Sequence, residues 1–332
     1  PRLSVSARFD SWTSSGWSSE ARPSSARLPI VRPSRRAEAA RLPLQTVVPT
    51  RSFLPGRASW TRASSVGSPI TGNYFEYVNY GIVADGGNAL YIADNSFNNI
   101  NYGVITDGST GVTIINNDFT GYGSGYGSDS ISLAAKADEE GDPYDDDYGC
   151  YYEDDCYGDV GSYAIHVVGG LNTAIFGNDV NNFIMGIGVE NSVHSSILYN
   201  DVTDIIEDAI FSNANINTLI RSNFVSNADN GIHSMDDSYI DIVSNEVSDS
   251  FNAILAGHDY NLLIMSNNLH DNSTGIDIFV SNGAVIKGND LSDNSYGLIV
   301  GKSDDVRTIS NIFTDNEVGA AFYSSDNAIM TD

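Results

Sequence analysis

Basic side chains are scarce over most of this sequence. Beyond residue 69 the basic residues are Lys136, Arg221, Lys287, Lys302 and Arg307, against 40 acidic ones. A surface that negative repels nucleic acid and anionic membranes, which excludes both as partners. It can act as a solubilising coat or attract divalent cations. Long apolar runs are absent as well. No stretch of 18 apolar residues exists, so no membrane-spanning helix is expected. No glycine-rich phosphate loop lies between a strand and a helix, and no Cys/His spacing suits zinc. Nothing therefore calls for an organic cofactor. Cysteine is limited to Cys150 and Cys156, close together in one segment. In an oxidising compartment they can close a small disulfide ring; free thiols or a pair of metal ligands are the alternatives.

Residues 1–69 differ from the rest. They hold eleven arginines, no lysine and three acids, in a background of Ser, Ala and Pro. Apart from a short run at 42–48 they lack hydrophobic periodicity. They read as a low-complexity segment, either disordered or the product of out-of-frame translation of GC-rich DNA. No basic stretch followed by an apolar one marks a signal peptide.

From about Gly72 a repeat takes over. A small residue followed by an aliphatic recurs as Gly81-Ile82, Gly103-Val104, Ser130-Ile131, Ala164-Ile165, Gly186-Ile187, Ala209-Ile210, Gly231-Ile232, Ala253-Ile254, Gly275-Ile276 and Gly297-Leu298. From Ala164 onward the spacing is 22, with a single 23. Fourteen positions later in most units comes Asn, any residue, then a hydrophobe, as at Asn95, Asn117, Asn178, Asn200, Asn223, Asn245, Asn267 and Asn289. Apolar and polar residues alternate with a period of two over short runs broken by Asn, Asp, Gly or Ser. No unit carries a helical face of useful length. Three short strands and three turns fit a unit of this size, and self-similarity this regular marks a solenoid. The expected fold is all-β: a right-handed parallel β-helix of about eleven coils over 70–332, on the order of 50 Å long at about 4.8 Å per coil. Ile82, Val104, Ile131, Ile165 and their successors should form one inward stack, and Phe97, Phe119, Val180 and theirs another. The repeated asparagines read as structural, able to adopt the left-handed turn conformation and to bond up the ladder.

Phrases such as Tyr296-Gly297-Leu298-Ile299-Val300 and Asn289-Asp290-Leu291 resemble the parallel β-helix repeats of carbohydrate-binding and sugar-hydrolysing proteins, the NosD-like and pectin-lyase-like superfamily. The resemblance extends over the whole repeat region and implies the fold. Lyases, hydrolases, epimerases and adhesins all share that fold, so it does not fix the activity.

One break interrupts the repeat. The interval from Asn117 to Asn178 reads as two coils plus 17, with an acidic, tyrosine-rich insertion at 136–161. Long loops on a solenoid are where function usually sits. Asp145, Asp147, Glu153 and Asp155 could offer oxygens to Ca²⁺, and Cys150–Cys156 could pin the loop. No EF-hand spacing is present, and a solvated acidic flap is the alternative. Tyr151 and Tyr152 could stack on sugar rings or pack the loop onto the rod.

Alternation also assigns an outward column containing His166 and His233, with Glu190 in the column two positions on. Lys136, Asp236, Asp237, His258 and Asp259 lie just beyond the strand. Carboxylates, His and Lys on such a face suit acid–base work on a polysaccharide. Asp236-Asp237 and Gly257-His258 resemble the Asp-Asp and Gly-His elements of polygalacturonases. That resemblance implies Asp237 as acid, Asp236 as base and His258 in support. Asn213-Ala214-Asn215 stands where the family has Asn-Thr-Asp, so the third carboxylate is missing. For a lyase or epimerase the best constellation is Lys136 with His166, His233 and Tyr163. His194 and His270 fall at turns, where they should be solvated. The sequence thus points to a secreted or cell-surface, monomeric, polysaccharide-binding β-helix, a hydrolase or lyase acting between residues 129 and 260. The alternative is a non-catalytic, adhesin-like rod with a Ca²⁺-binding loop.

Overall fold

The computed structural model describes residues 69–122 and 162–332. Within them the chain winds as a parallel β-solenoid. Each turn contributes one strand to each of three parallel sheets. Sheet B has eleven strands, from Pro69–Thr71 to Ile329–Thr331. Sheet C has ten, from Tyr74–Glu76 to Ile312–Thr314. Sheet A has ten, from Tyr80–Asp85 to Val318–Tyr323. The chain visits B, then C, then A, and strand neighbours within each sheet are three elements apart in sequence. None of the described residues is helical, and no helix is long and apolar enough to cross a membrane.

The regular register aligns like with like. Ile82 pairs with Val104, Ile92 with Ile114 and Phe97 with Phe119. The expected inward stacks are present and almost wholly shielded from water, among them Ile165, Ile187, Ile210, Ile232, Ile254 and Ile276 in sheet A. Phe75, Phe97 and Phe119 stack face to face, with centroids 4.7 and 4.5 Å apart. Burying each such side chain is worth roughly 1.5–3 kcal/mol, so the hydrophobic core runs the length of the rod.

The ladder asparagines sit at the corner between sheets B and C, buried from Asn95 through Asn289. Each accepts, through Oδ1, the backbone N–H and the side-chain amide of the asparagine one turn earlier, as Asn200 does from Asn178. Its own amide also donates to the backbone carbonyl of an isoleucine one turn back, as Asn245 does to Ile220. All of its polar atoms are spent on the scaffold.

The long spacing is resolved differently from the expectation. Tyr102–Asp107 in sheet A pairs directly with Tyr163–Val168, Val104 facing Ile165 and Ile105 facing His166. Asn117 likewise bonds directly to Asn178, although the two are 61 residues apart. That interval is therefore a single turn enlarged by an insertion, not two turns plus 17. The inward position expected for Ile131, between Val104 and Ile165, does not exist in this register, although Ser130-Ile131 matches the small–aliphatic phrase. Residues 123–161 lie outside the described residues.

The small residue beginning each inward stack position also alternates over several turns, as Ala164, Gly186, Ala209, Gly231, Ala253 and Gly275. A Cβ on Gly231 would lie 2.4 Å from Val247 Cγ1 and 2.7 Å from the Ala253 carbonyl oxygen. A Cβ here therefore cannot be accommodated without moving backbone of the next turn. Gly231→Ala should lower stability by about 2 kcal/mol, as overpacking does. A thermal melt reads this as a fall of about 4–8 °C; an unchanged midpoint would show that the turns separate freely.

Candidate functional site

Two His–carboxylate pairs mark the outer face of sheet A. His166, on Tyr163–Val168, is held by Glu190 of the next turn, Nε2 to Oε1, at 2.7 Å. The ring of Tyr163 lies flat on that imidazole, centroids 4.2 Å apart and 7° from parallel. Gly188, beside His166 one turn on, leaves the space: a Cβ there would come within 2.6 Å of the Tyr163 ring. The second pair is His233 Nδ1 with Asp208 Oδ2, at 3.0 Å. His233 occupies the same column as His166, three turns along through Gly188 and Phe211. At about 4.8 Å per turn the two imidazoles lie roughly 14 Å apart along the rod axis.

The second pair has a built surround. Asn230 donates to Asp208 Oδ1 at 2.8 Å, and Asn252 donates to Asn230 at 2.9 Å, so one row of polar groups links three turns. Apart from the turn that carries the long insertion, one unit of the repeat is a single residue longer, and its extra residue falls here. Asp179–Phe183 aligns with Asp201–Ile205, whereas the sheet A strands that follow begin at Met185 and Asp208. The additional residue therefore falls at Ile206–Glu207, beside Asp208. The same corner carries Glu207 and, one turn on, Asp229. The pKa of each is raised, by desolvation first and then by the charge of Asp208. Burial pulls the His233 imidazole down, but Asp208, with Asp259 and Asp237 behind it, outweighs this and leaves its pKa raised. Nε2 of His233 is buried with no partner. Two turns further along the column, Asp277 Oδ1 is likewise buried without one, and burial raises that carboxyl to about 6. Unsatisfied polar atoms and displaced pKa values on one face are features of functional sites.

The Asp236-Asp237 element is split by the chain. Asp236 is half exposed, with Oδ1 3.8 Å from Nδ1 of the equally exposed His258. Asp237 turns inward and is 1% exposed, so the expected acid and base do not share a surface. It belongs to a second ladder, at the corner between sheets A and B. There the backbone N–H of Ser192 bonds to Asn215, Asn215 to Asp237, Asp237 to Asp259, and Asp259 to Ser281. Asp237 and Asp259 occupy positions filled by serine, asparagine or glycine elsewhere. Ser234 lies between them, its hydroxyl 2.7 Å from Asp259 Oδ2 and 3.3 Å from Asp237 Oδ2.

His194 was expected at a turn but stands on a sheet B strand, Val193–Leu198, and His270 ends a sheet C strand beside Asp271. Lys136, Tyr151, Tyr152, Asp145, Asp147, Glu153, Asp155, Cys150 and Cys156 lie outside the described residues. Sequence reasoning found His166, His233, Tyr163 and Glu190 but missed Asp208, Glu207, Asp229 and Asn230. The signal was available: Asp208 and His233 are separated by one turn plus the three positions between a strand's first residue and its outward His.

A family model described as "Periplasmic copper-binding protein (NosD)" matches residues 162–331, just over half of the chain. The chain belongs to the NosD family. Among curated proteins, none matches it in sequence. Among solved structures, this NosD-family chain is similar to the periplasmic alginate epimerase AlgG, at 12% identity and a TM-score of 0.49 over 80% of this chain and 76% of that one. It is similar to the Azotobacter vinelandii mannuronan C-5 epimerase AlgE6 A-module, at 13% and 0.45 over 83% and 69%. A third is the Streptococcus pneumoniae surface protein and adhesin PfbA, at 12% and 0.41 over 84% and 83%.

The family's description raises copper. Copper sites are built from imidazole and sulfur ligands converging on one point. Among the described residues no group of three His, Cys, Asp or Glu side chains could hold a metal ion. The two His–carboxylate pairs offer two groups each and stand three turns apart. The described part of this NosD-family chain does not fit a copper site.

Proposed function

We propose that this chain binds a polysaccharide along the outer face of sheet A, outside the cytoplasm. The His–carboxylate pairs then serve as the acid–base groups of a hydrolase or lyase. The observation carrying this reading is the alignment of Tyr163, His166–Glu190, Phe211, His233–Asp208 and Asp277 along one axis-parallel strip. A linear polymer can lie along that strip, a sugar face meeting the partly exposed ring of Phe211 and its hydroxyls the partly exposed His166 imidazole. Proton transfer needs a donor and an acceptor whose protonation states differ near neutral pH. His233 and Asp277, whose carboxyl burial raises to about 6, are the candidate donor and acceptor.

The test is a screen of the full chain on neutral and uronic polysaccharides, with Ca²⁺ and with chelator. Ultraviolet-absorbing unsaturated ends would mark a lyase, and reducing ends without that absorbance a hydrolase. Binding without products would favour the adhesin-like rod. On the polysaccharide that binds, His166→Ala and Asp208→Asn should each weaken binding or turnover by at least tenfold. No binding and no product on any substrate would sink the proposal.

A further inference from the structure

Sheet B carries a second surface feature, away from the strip on sheet A. Five consecutive strands of sheet B, from Leu171–Phe176 to Tyr260–Met265, are six residues long, while Thr113–Ile115 before them and Val285–Lys287 after them are three. The extra length begins with a left-handed kink kept in register from turn to turn. The second residue of each long strand drops out of the pairing, so Leu171 pairs with Val193 and Thr173 with Ser195, skipping Asn172 and His194. That residue adopts the left-handed backbone in all five: φ is 57° at Asn172, 59° at His194, 59° at Asn217, 61° at Tyr239 and 58° at Asn261. The first two residues of each of these strands both face outward. The same left-handed position recurs in the flanking turns, at Ala89, Gly111, Gly283 and Asp305, but in these five turns it carries the larger polar or aromatic side chains Asn172, His194, Asn217, Tyr239 and Asn261.

Beside that column lies an open depression of about 530 Å³, lined by His194, Ser196, Asn217, Leu219, Tyr239 and Asp241, with Asn261 at its end. Tyr239 and its neighbour Tyr260 are 54% and 62% exposed, and their rings meet edge to face with centroids 6.1 Å apart. Left-handed backbone is unfavourable for a bulky residue such as tyrosine, whereas asparagine, used in the same column, tolerates it. Two exposed tyrosines beside amides and a carboxylate supply aromatic faces for sugar C–H groups and acceptors and donors for hydroxyls. None of the lining side chains is lysine or arginine, and Asp241 would oppose a uronate.

We infer that this depression on sheet B is a binding subsite for a neutral oligosaccharide, separate from the strip on sheet A. It extends the glycan-binding reading to a second face and rests on that reading. Direct binding of the full chain to neutral gluco-, xylo- and manno-oligosaccharides, with an oligogalacturonate for contrast, tests it by calorimetry. The variants borrow residues from neighbouring turns, Tyr239→Asn and Tyr260→Ser, so the backbone is kept; a thermal melt confirms the fold. The double variant should lose at least tenfold in affinity for the neutral glycan that binds, measured beside the sheet A variants His166→Ala and Asp208→Asn. Loss with the sheet A variants and none with the sheet B variants would overturn the subsite and leave the sheet A proposal standing. Loss with the sheet B variants alone supports the subsite and removes the sheet A strip as the binding face for that glycan. Absence of binding to every neutral glycan overturns the subsite outright.

Discussion

Replacing Asp259 with serine should make the rod more stable at pH 8, by about 3 kcal/mol, and change it little at pH 4. Asp259 is 4% exposed and its carboxyl is raised to about 7, by desolvation first and then by the charge of Asp237. Asp237 itself is raised to about 6 by desolvation, against the hydrogen bonds that favour its ionised form. Both carboxyls bind protons more tightly in the folded chain than in the unfolded one, where a value near 3.8 applies. Between about pH 4 and 7 the native state therefore holds more protons, and stability falls as the pH rises through the folded values. A rise of about three units corresponds to roughly 4 kcal/mol, reduced because the two carboxyls titrate as a pair. Serine is the residue that the same ladder uses at Ser192, Ser281 and Ser303, where its hydroxyl accepts the backbone N–H of the preceding turn. Asp259→Ser keeps that acceptor and removes the buried charge. Urea unfolding of both proteins at pH 4, 6 and 8 measures the effect. Parallel stability curves would show that Asp259 carries no pH dependence.

The inward stacks were readable because one side chain in two points inside and the unit length is constant, so Ile165 and Ile187 announce each other. The asparagine ladder was readable because one residue type recurs. The corner between sheets A and B was not, because Ser192, Asn215, Asp237, Asp259 and Ser281 do the same work with three chemistries. In the sequence Asp236-Asp237 looks like a surface pair; only the left-handed backbone at Asp236, with φ 54°, turns one outward and the next inward. The extra coil was misread because Ser130-Ile131 has the local pattern of a strand, and local pattern does not determine pairing across turns. The candidate site was half legible. His166 and His233 share a column, but their carboxylate partners come from other turns at offsets that depend on the corner, and at Asp208 that corner holds a single extra residue.

Replacing Asn223 with alanine should cost about 4 kcal/mol, more than the same change near the end of the ladder. Oδ1 of Asn223 accepts the backbone N–H of Asn200 at 2.9 Å and its side-chain amide at 3.0 Å. Its own amide donates to the Ile197 carbonyl at 2.9 Å and to Asn245 Oδ1 at 3.0 Å. Alanine leaves buried donors on Asn200 and a buried acceptor on Ile197 without partners, and each unsatisfied group costs about 1–3 kcal/mol. Water cannot replace them readily, since Asn200, Asn223 and Asn245 are all within 2% of full burial. Asn311 is only partly buried, and its amide bonds to the Ile286 carbonyl. With water at hand to replace the lost bonds, Asn311→Ala should cost about 1 kcal/mol. Asn223→Asp separates the two halves of the role. It keeps the acceptor for Asn200 but sets a carboxylate against Asn245 Oδ1 and the Ile197 carbonyl, so it should be nearly as damaging at pH 7 and milder near pH 4, where a protonated carboxyl can donate. Denaturant unfolding of the three variants at both pH values gives the ordering. Equal costs for Asn223→Ala and Asn311→Ala would mean that the amides merely occupy the corner and that the backbone ladder alone holds the turns in register.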